Sequence, residues 1–208
     1  MTATDTQFAQ HLSTRRASVE EREAVLANPG FGNFFTDHTA VVDFSVDESG
    51  VGGWHSARLE PYGPIALDPA AAVLHYGQEI FEGMKAYRHT DGSIWTFRAD
   101  ANAARLNRSA ARLALPQLPE ELFLESLRQL VSADSDWIPS GDGESLYLRP
   151  FMIATEGIQS WSAATSWRRD SRNSSSGSCG SARRTADRLS RAALASARNV
   201  HTEPSAWR

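Results

Sequence analysis

Few side chains in this 208-residue chain could do covalent chemistry. All but one of its 21 basic residues are arginine, so Lys85 is the only side-chain amine. Cys179 is the only thiol; it stands in a Ser/Arg-rich stretch with no base beside it, and no role follows from it. His38, His55, His75 and His89 lack the spacing of metal ligands. No glycine-rich phosphate loop precedes a helix, and Gly52-Gly53 reads as turn material. Arg105 falls on the exposed turns of a helix expected over 101–113, and Arg149 lies two residues after Tyr147, hence on the same strand face. Phe31, Tyr76 and Phe81 are aromatics in apolar or turn-rich segments. By type alone, such aromatics more often pack a core than line a pocket, and a helical arginine is usually solvated.

The elements that must position these residues are readable from pattern. Ser18-Val19-Glu20-Glu21 reads as a capping box opening a short helix that Asn28-Pro29-Gly30 stops, while residues 1–12 read as frayed. His38–Ser45 and Trp54–Leu59 are β-branched and aromatic, with turn residues Asp47–Gly53 between them, and predict a hairpin. Ala70–Phe81 predicts a short helix or an extended crossing that ends at a Glu82-Gly83 turn. Met84–His89 and Ser93–Arg98 flank Thr90-Asp91-Gly92 and predict a second hairpin. Asp100 then reads as the cap of a helix whose Ala103, Leu106, Ala110 and Leu113 form one apolar stripe that Pro116 ends. Pro119-Glu120-Glu121 opens another helix, buried through Phe123, Leu127, Leu130 and Val131. Leu146–Thr155 predicts a strong strand, with Pro150 near an edge or bulge. Hairpins followed by two helices predict an α+β domain of antiparallel strands with two packed helices.

Composition divides the chain. Residues 158–208 carry nine arginines against Asp170, Asp187 and Glu203, a net of +6 in a chain of net −4, so residues 1–157 carry −10. No run of about 18 apolar residues occurs, so no membrane span is expected. The polar N-terminus lacks the apolar core of a secretory signal, and one cysteine fits a reducing cytoplasm. From Gly157 apolar periodicity fails, and Trp161, Trp167 and Trp207 stand among polar residues. A tail of that composition is expected to be disordered. The reading is therefore an N-terminal extension with a short helix (1–30), a small domain (31–156) and a tail (157–208).

LHYGQEIFEGMKAYR at 74–88, FRADANAARLNRSAARLALP at 97–116 and SLYLRPFMIATE at 145–156 together resemble the class IV, or fold-type IV, pyridoxal-phosphate aminotransferases, specifically the branched-chain amino acid aminotransferases. FGNFFTDHTAVVDF at 31–44 resembles the start of that family's long form rather than its D-amino-acid aminotransferase and aminodeoxychorismate lyase relatives. The resemblance runs in order from Phe31 to Glu156 and covers the family's small N-terminal domain. It implies reversible transfer of the amino group of leucine, isoleucine or valine to 2-oxoglutarate through pyridoxal 5'-phosphate, in amino-acid biosynthesis, in the cytoplasm and in a homodimer. It implies that Arg105 holds the cofactor phosphate. It implies also that Phe31, Tyr76, Phe81 and Tyr147 wall the substrate pocket, and that Arg149 lines its entrance near the substrate carboxylate.

The resemblance also implies a lysine that forms the internal Schiff base and moves the proton, supplied by a large domain for which this sequence has no counterpart. Lys85 in EGMKAYR matches a position without that role, so no catalytic residue is assigned and the chain is expected to be an inactive fragment. The Arg/Ser/Ala texture after Glu156 is what a GC-rich gene read out of frame produces, and a frameshift near codons 156–158 is expected. The competing readings are a non-catalytic interaction protein whose basic tail meets acidic partners by charge, and a product unable to fold. The tail lacks any recognised nucleic-acid module, so nucleic acid is not the expected partner.

Overall fold

The computed structural model describes residues 8–47, 49–155 and 188–199. Eight strands build one sheet: β1 (Ala9–Gln10), β2 (Phe31–Val46), β3 (Gly52–Pro61), β4 (Glu79–Phe81), β5 (Met84–Arg88), β6 (Ile94–Thr96), β7 (Leu146–Ile153) and β8 (Arg188–Asn199). Their order is β1-β3-β2-β8-β7-β5-β6, with β4 beside β7, and every pairing is antiparallel except β1 with β3. Four helices, α1 (Val19–Ala27), α2 (Ala72–Tyr76), α3 (Ala99–Arg112) and α4 (Glu120–Ala133), complete an α+β fold.

Both expected hairpins form, and a turn aspartate builds each loop. Asp47 Oδ1 accepts from the amides of Ser49 and Val51 at 2.9 Å each, and Asp91 Oδ1 accepts from the Ser93 amide at 2.9 Å. Along α3 and α4 the apolar stripes do what their period dictates: α3 packs on α4, and Ala103, Leu106, Ala110, Phe123, Leu127 and Leu130 are buried in one apolar cluster that also contains Leu146, Leu148 and Met152 of β7. Leu113 falls off the stripe and is partly exposed, because the helix ends one residue earlier. Asn107 ties the α3–α4 link, accepting from the Leu118 amide and donating to its carbonyl at 2.8 Å each.

β7 thus has a buried side, Leu146, Leu148, Pro150 and Met152, and an open side that carries Tyr147, Arg149 and Phe151. Pro150 lies opposite the break between β4 and β5, where its carbonyl accepts from the Glu82 amide at 2.8 Å. In an antiparallel ladder the amide and carbonyl of one residue point to the same neighbour, so the missing N–H meets the break and costs no ladder bond.

Two expectations are corrected. Asp100 does not cap α3: Arg98, with φ +49°, precedes the helix without a side-chain cap, and Asp100 lies in the first turn, where its charge suits the helix dipole. Residues 8–12 are not frayed. Phe8 is 6% exposed, β1 pairs with β3, and the Ser13 and Ala17 amides donate to His38 Nε2 (2.9 Å) and Asp37 Oδ1 (3.1 Å). These ties join residues 20 or more positions apart, which local composition cannot register. Arg188–Asn199 forms β8 between β2 and β7. Both neighbours turn a backbone edge to that position, and ladder bonding asks little of the side chains that fill it. The remaining readings on the tail, with Cys179, Trp161, Trp167 and Trp207, lie outside the described residues.

Candidate functional site

An open depression of about 970 Å³ lies where the first turns of α3 pass β5 and the Glu82-Gly83 break. Lys85, Arg98, Arg105 and Arg108 line it against Asp100 and Glu120, an excess of positive charge, and Tyr147 and Phe97 supply aromatic wall. Arg105 is half exposed and held from one side by Glu82, whose carboxylate accepts from Nε at 3.0 and 3.1 Å and from Nη2 at 2.6 Å. The hydrogen bonds and charge of Glu82 raise the guanidinium pKa above its already high ordinary value, so Arg105 is always a cation.

Tyr147 joins this depression to a second cluster. The Arg149 guanidinium lies 4.4 Å from the Phe81 ring centroid and 5.1 Å from that of Tyr147, a cation between two π faces. Arg149 has no carboxylate partner among the described residues. Gly83 lies against Tyr147: a Cβ there would stand 3.1 Å from Tyr147 Cζ and closer still to its hydroxyl, so the ring would have to shift. Lys85, half-buried, is the cross-strand partner of Tyr147.

Of the residues singled out from sequence, Arg105 and Tyr147 therefore share one depression, and Phe81 and Arg149 stack beside Tyr147. Tyr76 stands apart at the end of α2, 64% exposed, its ring 6.4 Å from that of His75, and it does not line the depression. Phe31 is the first residue of β2, in register with Asn199, and its side chain lies outside the described residues. Sequence reasoning missed Glu82, Gly83 and Asn102, taking the first two as a turn. The available signal was an acidic residue directly beside the apolar pair Ile80-Phe81, a position that Glu79 shares with Glu82.

Curated proteins named branched-chain-amino-acid aminotransferase are similar to this chain. One from Mycolicibacterium smegmatis is 61% identical over 151 residues, 72% of this chain and 40% of its own length. One from Mycobacterium tuberculosis is 55% identical over 157 residues, 75% of this chain and 42% of its own length. A Bacillus subtilis protein named branched-chain-amino-acid transaminase 1 is 54% identical over 127 residues, 61% of this chain and 35% of its own. No family model matches the chain. Among solved structures, the branched-chain aminotransferase of Thermobaculum terrenum in its PLP form covers 69% of this chain and 38% of its own, at 16% identity and a TM-score of 0.47. The Escherichia coli enzyme covers 66% and 36%, at 18% identity and a TM-score of 0.44, and neither likeness enters the assignment. The chain spans about two fifths of the length of the curated relatives it matches. Over about 70% of its length this chain is thus similar to one part of the curated branched-chain-amino-acid aminotransferases.

Proposed function

We propose that these residues are the part of a branched-chain-amino-acid aminotransferase that grips the phosphate of pyridoxal 5'-phosphate and walls one side of the substrate pocket, and that the chain alone transfers no amino group. The observation that carries this reading is the shared depression: a half-exposed Arg105 among Lys85, Arg98 and Arg108, joined through Tyr147 to the Phe81–Arg149 stack. The donor set fits a phosphate ester, since Arg105 keeps donors that Glu82 does not use and the lining carries net positive charge. When bound, the cofactor supplies the electron sink for amino-group transfer.

The chain's own residues bind and orient. Arg105 takes the phosphate, with Arg98 and Arg108 adding attraction at the rim. Arg149, within cation–π reach of two rings, offers its donors to the carboxylate of the amino acid or of 2-oxoglutarate. Phe81 and Tyr147 offer the apolar wall that a Leu, Ile or Val side chain needs, and only the resemblance adds Phe31 and Tyr76 to it, Tyr76 standing apart from the depression. A homodimer and a cytoplasmic location rest on the resemblance alone; among the described residues no helix is long and apolar enough to cross a membrane.

Inertness is proposed because the 208 residues contain one lysine, and it stands on β5 facing Tyr147 across the ladder rather than at the family's cofactor-lysine position. Incubating the full chain with pyridoxal phosphate, leucine and 2-oxoglutarate is expected to yield no glutamate above the blank, and turnover would refute that part. The change of texture after Glu156 supports a shifted reading frame. Translation of the coding DNA from codon 150 in all three frames is expected to resume apolar strands and a lysine in another frame. If no frame does so, the tail is genuine.

A further inference from the structure

Glu82 is the most deeply buried charged group at the depression, its side chain 5% exposed. Its backbone is pinned through the Pro150 carbonyl, in the break between β4 and β5. Two residues of α3, one turn apart, grip its carboxylate: Arg105 through Nε and Nη2, and Asn102 through Nδ2, which donates to Oε2 at 2.8 Å and to the Gly83 carbonyl at 3.3 Å. This is side-on engagement. It uses the Nε hydrogen and one Nη2 hydrogen of the five that a guanidinium carries, and leaves the Nη1 pair and the other Nη2 hydrogen as an end-on fork. The Arg105 side chain so held is 52% exposed.

We propose that Glu82 is a positioning residue that fixes the plane of the Arg105 guanidinium so that its end-on fork meets a phosphate ester at two points. The inference rests on the functional reading above and deepens it. Two effects of Glu82 oppose each other. Its negative charge weakens the pull on a dianion, while its grip removes the rotamer freedom that a long, exposed side chain would otherwise lose on binding. The phosphate would meet the solvent-facing side of a half-exposed Arg105, where water and salt screen part of the first effect, whereas two-point donation depends directly on the second, so ordering wins.

The test is equilibrium dialysis of the full 208-residue chain against pyridoxine 5'-phosphate, which has no aldehyde to react with Lys85, together with nitrogen–proton spectra of the arginine Nε–H groups. Glu82→Gln is expected to weaken binding by about 3- to 10-fold and to speed solvent exchange of the Arg105 Nε–H. Asn102→Ala removes no charge and is expected to act in the same direction by less; it carries the test if Glu82→Gln does not fold. Unchanged or tighter binding in folded Glu82→Gln means that charge outweighs orientation, and overturns the proposal. A wild-type chain that binds no phosphate ester sinks the functional reading instead. The positioning claim is then decided by the Arg105 Nε–H, whose unchanged exchange in Glu82→Gln would refute it.

Discussion

Asp134 and Glu82 are both buried carboxylates, 2% and 5% exposed, each facing a basic side chain from a distant part of the chain. Their partners separate them. Asp134 faces His38, which is fully buried: Oδ1 lies 2.6 Å from Nδ1 and Oδ2 accepts the His38 amide at 3.1 Å. The other ring nitrogen accepts from the Ser13 amide, so Nδ1 carries the hydrogen and donates it to Asp134. Every polar atom of that imidazole is used within the protein. Glu82 faces Arg105, which opens to solvent with donors to spare. Burial of a carboxylate therefore marks a tie that the fold needs. Whether the tie also serves a site depends on what the partner has left over.

Breaking the closed tie has the largest expected effect on stability. Asp134→Ala leaves His38 with two buried donors and no acceptor, and should lower unfolding free energy by about 2–5 kcal/mol in a denaturant titration. A loss near zero would dissolve the contrast between the two carboxylates. Gly83→Ala sharpens it from the other side: the new methyl displaces the Tyr147 ring at a cost of about 1–3 kcal/mol, read from the melt and from shifted tyrosine ring resonances. An unmoved ring would mean that the close approach is not enforced. Phe81→Leu removes one face from Arg149 and should cost about 0.5–1 kcal/mol, with faster exchange at the Arg149 Nε–H as its signature.

The smallest effect is expected at an exposed carboxylate. The Ser49 hydroxyl, then the Val51 amide, hold the Asp47 carboxyl below its ordinary pKa. The folded state thus favours the charged form; the contribution is present above the ordinary carboxylate range and is lost as pH falls through the lowered value. Stability-against-pH curves of wild type and Asp47→Asn should therefore converge on acidification. Curves that stay parallel would remove Asp47 from the acid response.

What was legible in the sequence follows the same division between local and distant. The Ser18–Glu21 box, both hairpins and the stripes of α3 and α4 are local patterns, and all of them form. Arg105, Tyr147 and Arg149 were singled out through the resemblance, and the spacing of the last two on one strand already put them on one face. Glu82 was not legible as more than a turn residue, because the side chain that explains it lies 23 positions later. β1 and β8 escaped notice for a related reason: each is a strand by virtue of the edge it meets rather than its own composition. Tyr76 shows the converse, an aromatic singled out by motif that this chain leaves mostly exposed.

The central claim is that the depression around Arg105 is a phosphate grip, and dialysis of the wild-type chain and Arg105→Ala against pyridoxal 5'-phosphate and against pyridoxal tests it most directly. Saturable binding of the phosphorylated compound alone, lost in Arg105→Ala, is the result the account predicts. Equal binding of both compounds, or binding unaffected by loss of Arg105, would contradict it.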